Sequence, residues 1–73
     1  NLSNADLTWS SLNEANLTNS DLSKADLTRA SLASADLRGA NVNETIFTGA
    51  FANSATKWPD GFDPVLSGVK IWD

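Results

Sequence analysis

Acid–base chemistry in this 73-residue chain would fall to its nine Asp and Glu residues, since His, Cys and Tyr are all absent. A carboxylate pair becomes catalytic when one member sits in a cleft that perturbs its pKa. Asp6, Asp21, Asp26 and Asp36 instead recur at multiples of five residues. That spacing marks a repeat rather than a pair, and no catalytic residue is assigned. Without Cys there is neither a disulfide framework nor a thiolate metal site, and the Gly-Gly-x-Gly-x-Asp pattern of calcium-binding repeats is missing. No cofactor and no metal are expected. Trp9 and Arg29 stand twenty residues apart, where a guanidinium over an indole contributes about 0.5–1 kcal/mol at an exposed site. Lys24 and Glu44 have the same separation and suit an exposed ion pair of about 0–1 kcal/mol. Because Trp and Arg concentrate in interaction hot spots, Trp9, Arg29 and Trp72 are the candidate protein-contact residues. Asn1-Leu2-Ser3, Asn16-Leu17-Thr18 and Asn43-Glu44-Thr45 match a glycosylation acceptor pattern, but the repeat generates such triplets by itself.

The elements that must position these residues come from composition and period. Ten Ala, nine Leu, nine Ser, eight Asn and seven Asp make up well over half of the chain. Ala supplies about a third of the 41% hydrophobic content, too little bulk for a layered helix-and-sheet core. Five Lys and Arg against nine Asp and Glu leave a net charge of −4, which argues against direct nucleic-acid binding. No apolar run reaches the length of about eighteen residues that marks a membrane span, so no membrane insertion is expected. Leu2, Leu7, Leu12, Leu17, Leu22, Leu27, Leu32 and Leu37 follow at intervals of five, and Val42 and Phe47 take the next two slots. Two positions earlier stands a small residue: Ala5, Ser10, Ala15, Ser20, Ala25, Ala30, Ala35, Ala40 and Thr45. Between them the chain favours Asp or Asn, so the unit is Ala-(Asp/Asn)-Leu-x-x.

An α-helix would rotate successive Leu by about 140° and scatter them round its axis. A flat strand would place them alternately on opposite faces, because its side-chain period is two. All of them face one interior only if the chain turns once per repeat, giving a coil with short straight sides. Ser11 and Ser31, and Thr8 with Thr28 and Thr48, recur at twenty residues, which favours four sides per coil.

With its eight successive near-consensus units, residues 1 to 57 resemble the pentapeptide-repeat proteins. The resemblance implies an all-β fold, a right-handed quadrilateral β-helix, here a solenoid of about three coils. The stretch from Ala55 to Pro64 resembles the end segment of family members from photosynthetic bacteria. Four sides place Leu2, Leu22 and Val42 on one wall and Leu7, Leu27 and Phe47 on the next. Leu12 and Leu32 then meet Ala52, and Leu17 and Leu37 meet Lys57. Vertical neighbours should lie about 4.8 Å apart, and small residues leave room for the inward Leu. The Asp and Asn side chains are expected to be structural, bonding backbone amides at the turns.

Residues 1–57 are therefore expected to form the β-helix and residues 58–73 a C-terminal capping segment. Pro59-Asp60-Gly61 reads as a turn, and Asp63 to Gly68 as one helical turn with Asp63 at its N-cap. Phe62, Val65, Leu66, Val69 and Ile71 are the expected lid. No cap is visible before Asn1, so the first coil should pair with further coils of a longer chain or with another copy, a route to homo-oligomers. The expected function is non-enzymatic, a scaffold or protein-interaction module. The alternative, implied by the family resemblance, is a DNA mimic acting on DNA gyrase or topoisomerase. Against that alternative, Lys24, Arg29 and Arg38 interrupt the outward acidic surface. The segment shows no signal peptide, and the cytoplasm is the expected compartment, or the periplasm or thylakoid lumen if a signal has been removed.

Overall fold

The computed structural model describes residues 1–72 of the chain. Its unit is a turn followed by one paired residue. After each Leu the backbone carbonyl accepts the amide three residues on, as in Ala5 N to Leu2 O at 3.0 Å and Ala25 N to Leu22 O at 3.0 Å. The third residue of that turn has positive φ, from +62° at Asn4 and +63° at Trp9 to +59° at Glu44. Such a turn is type II, whose third position favours Gly or Asn. Here it is filled mostly by other residues, each at a cost on the order of 1 kcal/mol. Gly39 and Gly49 carry the same conformation at +76° and +69°.

Because the turn consumes most of each five-residue unit, pairing along the sides is confined to single bridges. Asp6 bridges Asp26, Ser11 bridges Ser31, Asn16 bridges Asp36 and Asp21 bridges Asn41, all parallel and all twenty residues apart. Residues 21–40 therefore lie between residues 1–20 and the stretch from Asn41 on. The fold is a β-helix. Each layer donates to the next and accepts from it, as in Leu7 N to Asp26 O at 2.8 Å and Asp26 N to Ala5 O at 2.9 Å. Two strands are long enough to name, β1 (Phe51–Ala52) and β2 (Lys70–Ile71), which pair in parallel at the end opposite Asn1.

The interior holds the residues that the period selects. Leu22, Leu27, Leu32 and Leu37 are fully buried, and Ala25, Ala30 and Ala35 beside them leave no exposed surface. A methyl group is what remains of the space once four Leu converge, so these Ala are a packing requirement. In the layer above, Leu2, Leu7 and Leu12 are half-buried. In the layer below, Thr45 and Thr56 replace Ala, and their hydroxyls donate to Leu22 O at 2.7 Å and Leu32 O at 2.9 Å. No buried side-chain polar atom is left without a partner among the described residues.

Two expectations about the lower layer are corrected. Lys57 does not lie beneath Leu37. Phe51 still bridges Ser31 at an offset of twenty, but Lys57 bridges Asp36 at twenty-one, so one residue is inserted between them. Lys57 thereby takes the outward slot, and Trp58 follows in the place of Leu. Asn53 supports the insertion, its Oδ1 accepting the amides of Ser34 at 2.9 Å and Ala55 at 3.1 Å. The lid is also narrower than expected. Val69 is buried and Phe62 half-buried, whereas Val65, Leu66 and Ile71 are exposed, Leu66 at 85%. Aromatic area closes the interior instead: Phe47 meets Trp58 edge-on at 5.9 Å and Phe62 at 5.2 Å, and Trp58 meets Phe62 at 5.2 Å.

Candidate interaction surface

The type II corners decide which side chains reach solvent. Their third residues form vertical columns, and the column through Trp9, Arg29 and Gly49 carries the cation–π contact. The Arg29 guanidinium carbon lies 5.0 Å from the Trp9 ring centre, and Trp9 remains 70% exposed. Gly49 completes the column, and a Cβ there would approach Arg29 Cγ to 3.3 Å. The absent side chain thus leaves room for the Arg29 stem.

Lys24 and Glu44 occupy a neighbouring column, but no ion pair forms between them. The screened attraction of an exposed pair is too small to hold two long side chains together. Among the described residues the ion pair is Arg38 with Asp36, at 2.6 Å. Trp72 lies far from Trp9. Its amide donates to Ala52 O at 2.8 Å beneath the last full layer, while Trp9 N donates to Thr28 O at 2.9 Å from the first. Two backbone layers separate them, and no single patch contains both. Trp72 is 62% exposed, with its ring 6.4 Å from Phe51. Ile46 and Phe51, standing in slots that elsewhere hold Asp or Asn, add exposed apolar area near that end.

Asp6, Asp21 and Asp36 are held in the opposite state from that of a general acid. Asp6 Oδ1 accepts the Thr8 amide at 3.1 Å and the Thr8 hydroxyl at 2.7 Å. Asp21 accepts the Ser23 amide at 3.0 Å and its hydroxyl at 2.6 Å. Asp26 is bonded in the same way by Thr28. Asn16 and Asn41 use their amide oxygens for the same turn, accepting Thr18 N and Asn43 N. The slot is structural, as its sequence pattern implies. Hydroxyl donation lowers the Asp6 and Asp21 pKa values, and the Arg38 guanidinium hydrogen bond lowers that of Asp36 to about 2.

A pH dependence follows, with its sign set by these shifts. In the unfolded chain the three carboxyls return toward 3.8, so the folded chain binds fewer protons in acid. Their contribution is complete above about pH 5 and is lost as pH falls through the folded values, to about 2 at Asp36. Melting temperature should be flat near neutral pH and fall across this acid window. Asp36→Asn, which keeps the turn acceptor, should flatten part of the fall. A melting temperature that rises on acidification excludes this account.

The structure also shows an open crevice of about 400 Å³ that the sequence did not signal. One wall is the side from Ala40 to Glu44, and the other is the turn from Pro59 to Phe62. That turn is closed by Phe62 N to Pro59 O at 3.2 Å, with Gly61 at φ +78°. The walls come together because the inserted residue carries Trp58 inward and sends the following turn back beneath the first side.

Comparison with known proteins matches the family described as pentapeptide repeats (8 copies), over residues 1–39 and again over residues 10–49. A comparison with curated proteins finds no match. Among solved structures, the pentapeptide repeat protein Rfr23 from the cyanobacterium Cyanothece 51142 is 40% identical, with a TM-score of 0.74. The match covers 75% of this chain and 37% of that one, so the chain spans little more than a third of its relative. The pentapeptide repeat protein alr5209 from Nostoc PCC 7120 is 33% identical over 97% of this chain and 75% of its own, with a TM-score of 0.42.

Proposed function

Since the chain belongs to the pentapeptide-repeat family, we propose that it is a non-enzymatic scaffold or interaction module whose corner residues, centred on Trp9 and Arg29, meet a protein partner. In this reading it is a right-handed quadrilateral β-helix of about three coils, residues 1–57, closed by the segment 58–73 and its single helical turn. The hydrogen bonds of that turn support the assignment: Ser67 N donates to Asp63 O at 3.3 Å, and Leu66 N to Asp63 Oδ1 at 3.2 Å. The observation that carries the functional reading is Trp9 itself. An indole 70% exposed, on a backbone at φ +63°, is costly in both solvation and conformation. Arg29 holds it in one place, which lowers the entropy of ordering it on binding.

The non-enzymatic reading is supported by the acidity of Asp6, Asp21 and Asp36, each pushed down by its donors, away from the values a general acid needs. No surface feature favours a DNA mimic, because Arg29, Lys24 and Arg38 share the outward surface with the acids. The partner in this reading is a protein. A site-specific photocrosslinker placed beside Trp9, at Thr8, tests the proposal. A discrete crosslinked partner is expected, lost with Trp9→Ala and weakened with Arg29→Ala, while both variants stay folded and lose only the few degrees of melting temperature that a contact of about 0.5–1 kcal/mol supplies. Crosslinking unchanged by Trp9→Ala would sink it.

A further inference from the structure

The crevice beside Ala40 to Glu44 ends in a bare β edge. In the layer above, one residue makes two bonds: Asn41 N donates to Ser20 O at 2.8 Å, and Asn41 O accepts Leu22 N at 2.8 Å. Two residues on, Asn43 O accepts Lys24 N at 3.0 Å. The equivalent groups one layer down are Ala40 O, Val42 N and Glu44 N, and none has a hydrogen-bond partner among the described residues. Two sides further round, the chain fills this same position with its own end. Lys70 N donates to Ala50 O at 2.7 Å and Trp72 N to Ala52 O at 2.8 Å, with Ile71 facing Ala52.

We infer that the edge formed by Ala40, Val42 and Glu44 binds an extended peptide by parallel strand addition, and that the peptide is basic with an apolar centre. Its first residue bonds Ala40 O and Val42 N, its second lies beneath the half-buried Val42 against Phe62, and its third accepts from Glu44 N. Main-chain bonds supply affinity in this mode and alternate side chains supply choice. Glu44 and Asp60 line the crevice and neither forms an ion pair, so the flanking residues of the peptide are Lys or Arg. Lys70-Ile71 places a basic and then an apolar residue at the corresponding positions on its own side. The edge lies apart from Trp9 and Arg29, so Trp9→Ala leaves it intact and the two proposals fail separately.

The test is a titration of ¹⁵N-labelled protein with acetyl-Gly-Lys-Ile-Arg-Gly-amide, read at the backbone amides. Saturable shifts and slowed exchange are expected at Val42 and Glu44. N-methylation of the peptide Lys nitrogen, which removes the bond to Ala40 O, should weaken binding roughly tenfold. A peptide with Glu in place of Lys and Arg should bind weakly or not at all, and Glu44→Gln combined with Asp60→Asn should erase that preference. The inference is overturned if millimolar peptide leaves both amides unmoved, or if the N-methyl peptide binds as well as its parent. It is also overturned if both amides are already protected in a concentration-dependent dimer, since the occupant is then a second copy.

Discussion

Leu27→Asp is expected to abolish folding. Leu27 has no exposed surface, lies between Leu7 above and Phe47 below, and donates its amide to Ile46 O at 2.7 Å. A carboxylate at that position faces Leu and Ala on every wall, with no cation in reach and no room for water. Burying an unpaired charge costs several kcal/mol even after relaxation. At about 0.05–0.15 kcal/mol per residue, a chain of this length has little stability to set against that cost. Leu27→Ala, which leaves a cavity without a charge, should cost about 2–5 kcal/mol and be the milder of the two. Asp26→Asn, one residue away, keeps the turn acceptor and should melt like the wild type. Far-UV circular dichroism and urea titration read all three. A cooperative, native-like melt of Leu27→Asp would show that Leu27 does not face the interior.

Phe47→Ala carries the second largest effect, and it bears on how the lower end closes. Phe47 is 1% exposed and is the residue on which both Trp58 and Phe62 rest. Truncating a buried Phe costs about 3–5 kcal/mol, and each aromatic pair lost adds about 0.5–1.5 kcal/mol. The loss should be local first. Hydrogen exchange should accelerate at Leu37, whose amide pairs with Lys57 O at 2.8 Å, before it accelerates at Leu7. Leu66→Ala is the contrasting variant. Leu66 is 85% exposed, so its removal should change stability by no more than about 0.5 kcal/mol. Equal effects of the two substitutions would place the lid on Val65 and Leu66 after all.

The closing segment is where pattern and packing part company. Val65 and Leu66 look like lid residues because they are apolar and follow the repeat. The turn that Asp63 caps, however, closes on the amides of Ser67, Gly68 and Val69, bringing Val69 into the interior and leaving those two side chains exposed. Lys57 departs from the register for a different reason, since a five-residue repeat carries no mark of a single inserted residue. A subtler signal was present. Thr56-Lys57-Trp58 repeats the order small, polar, apolar of Ala35-Asp36-Leu37, displaced by one residue.

The Asp and Asn slot was legible because its chemistry is local. A carboxylate or amide oxygen reaches the amide two residues on wherever the chain turns, whatever lies around it. The Trp9 and Arg29 contact was legible because a twenty-residue layer makes vertical neighbours out of residues at that separation. The absence of an ion pair between Lys24 and Glu44 was not, because weak screened forces between long side chains depend on where each is anchored.

By itself the sequence determined the inward residues and the turn period, because a strict repeat admits only a backbone that brings the same slot to the same interior; it favoured four sides, and the bridges at twenty residues fixed them. Only the tertiary structure decided what breaks the repeat: the inserted residue, the aromatic closure around Phe47, and the bare edge from Ala40 to Glu44. These depend on which groups lack a neighbour once every layer is in place. Period constrains what recurs, whereas an end occurs once and takes its form from the packing it finds.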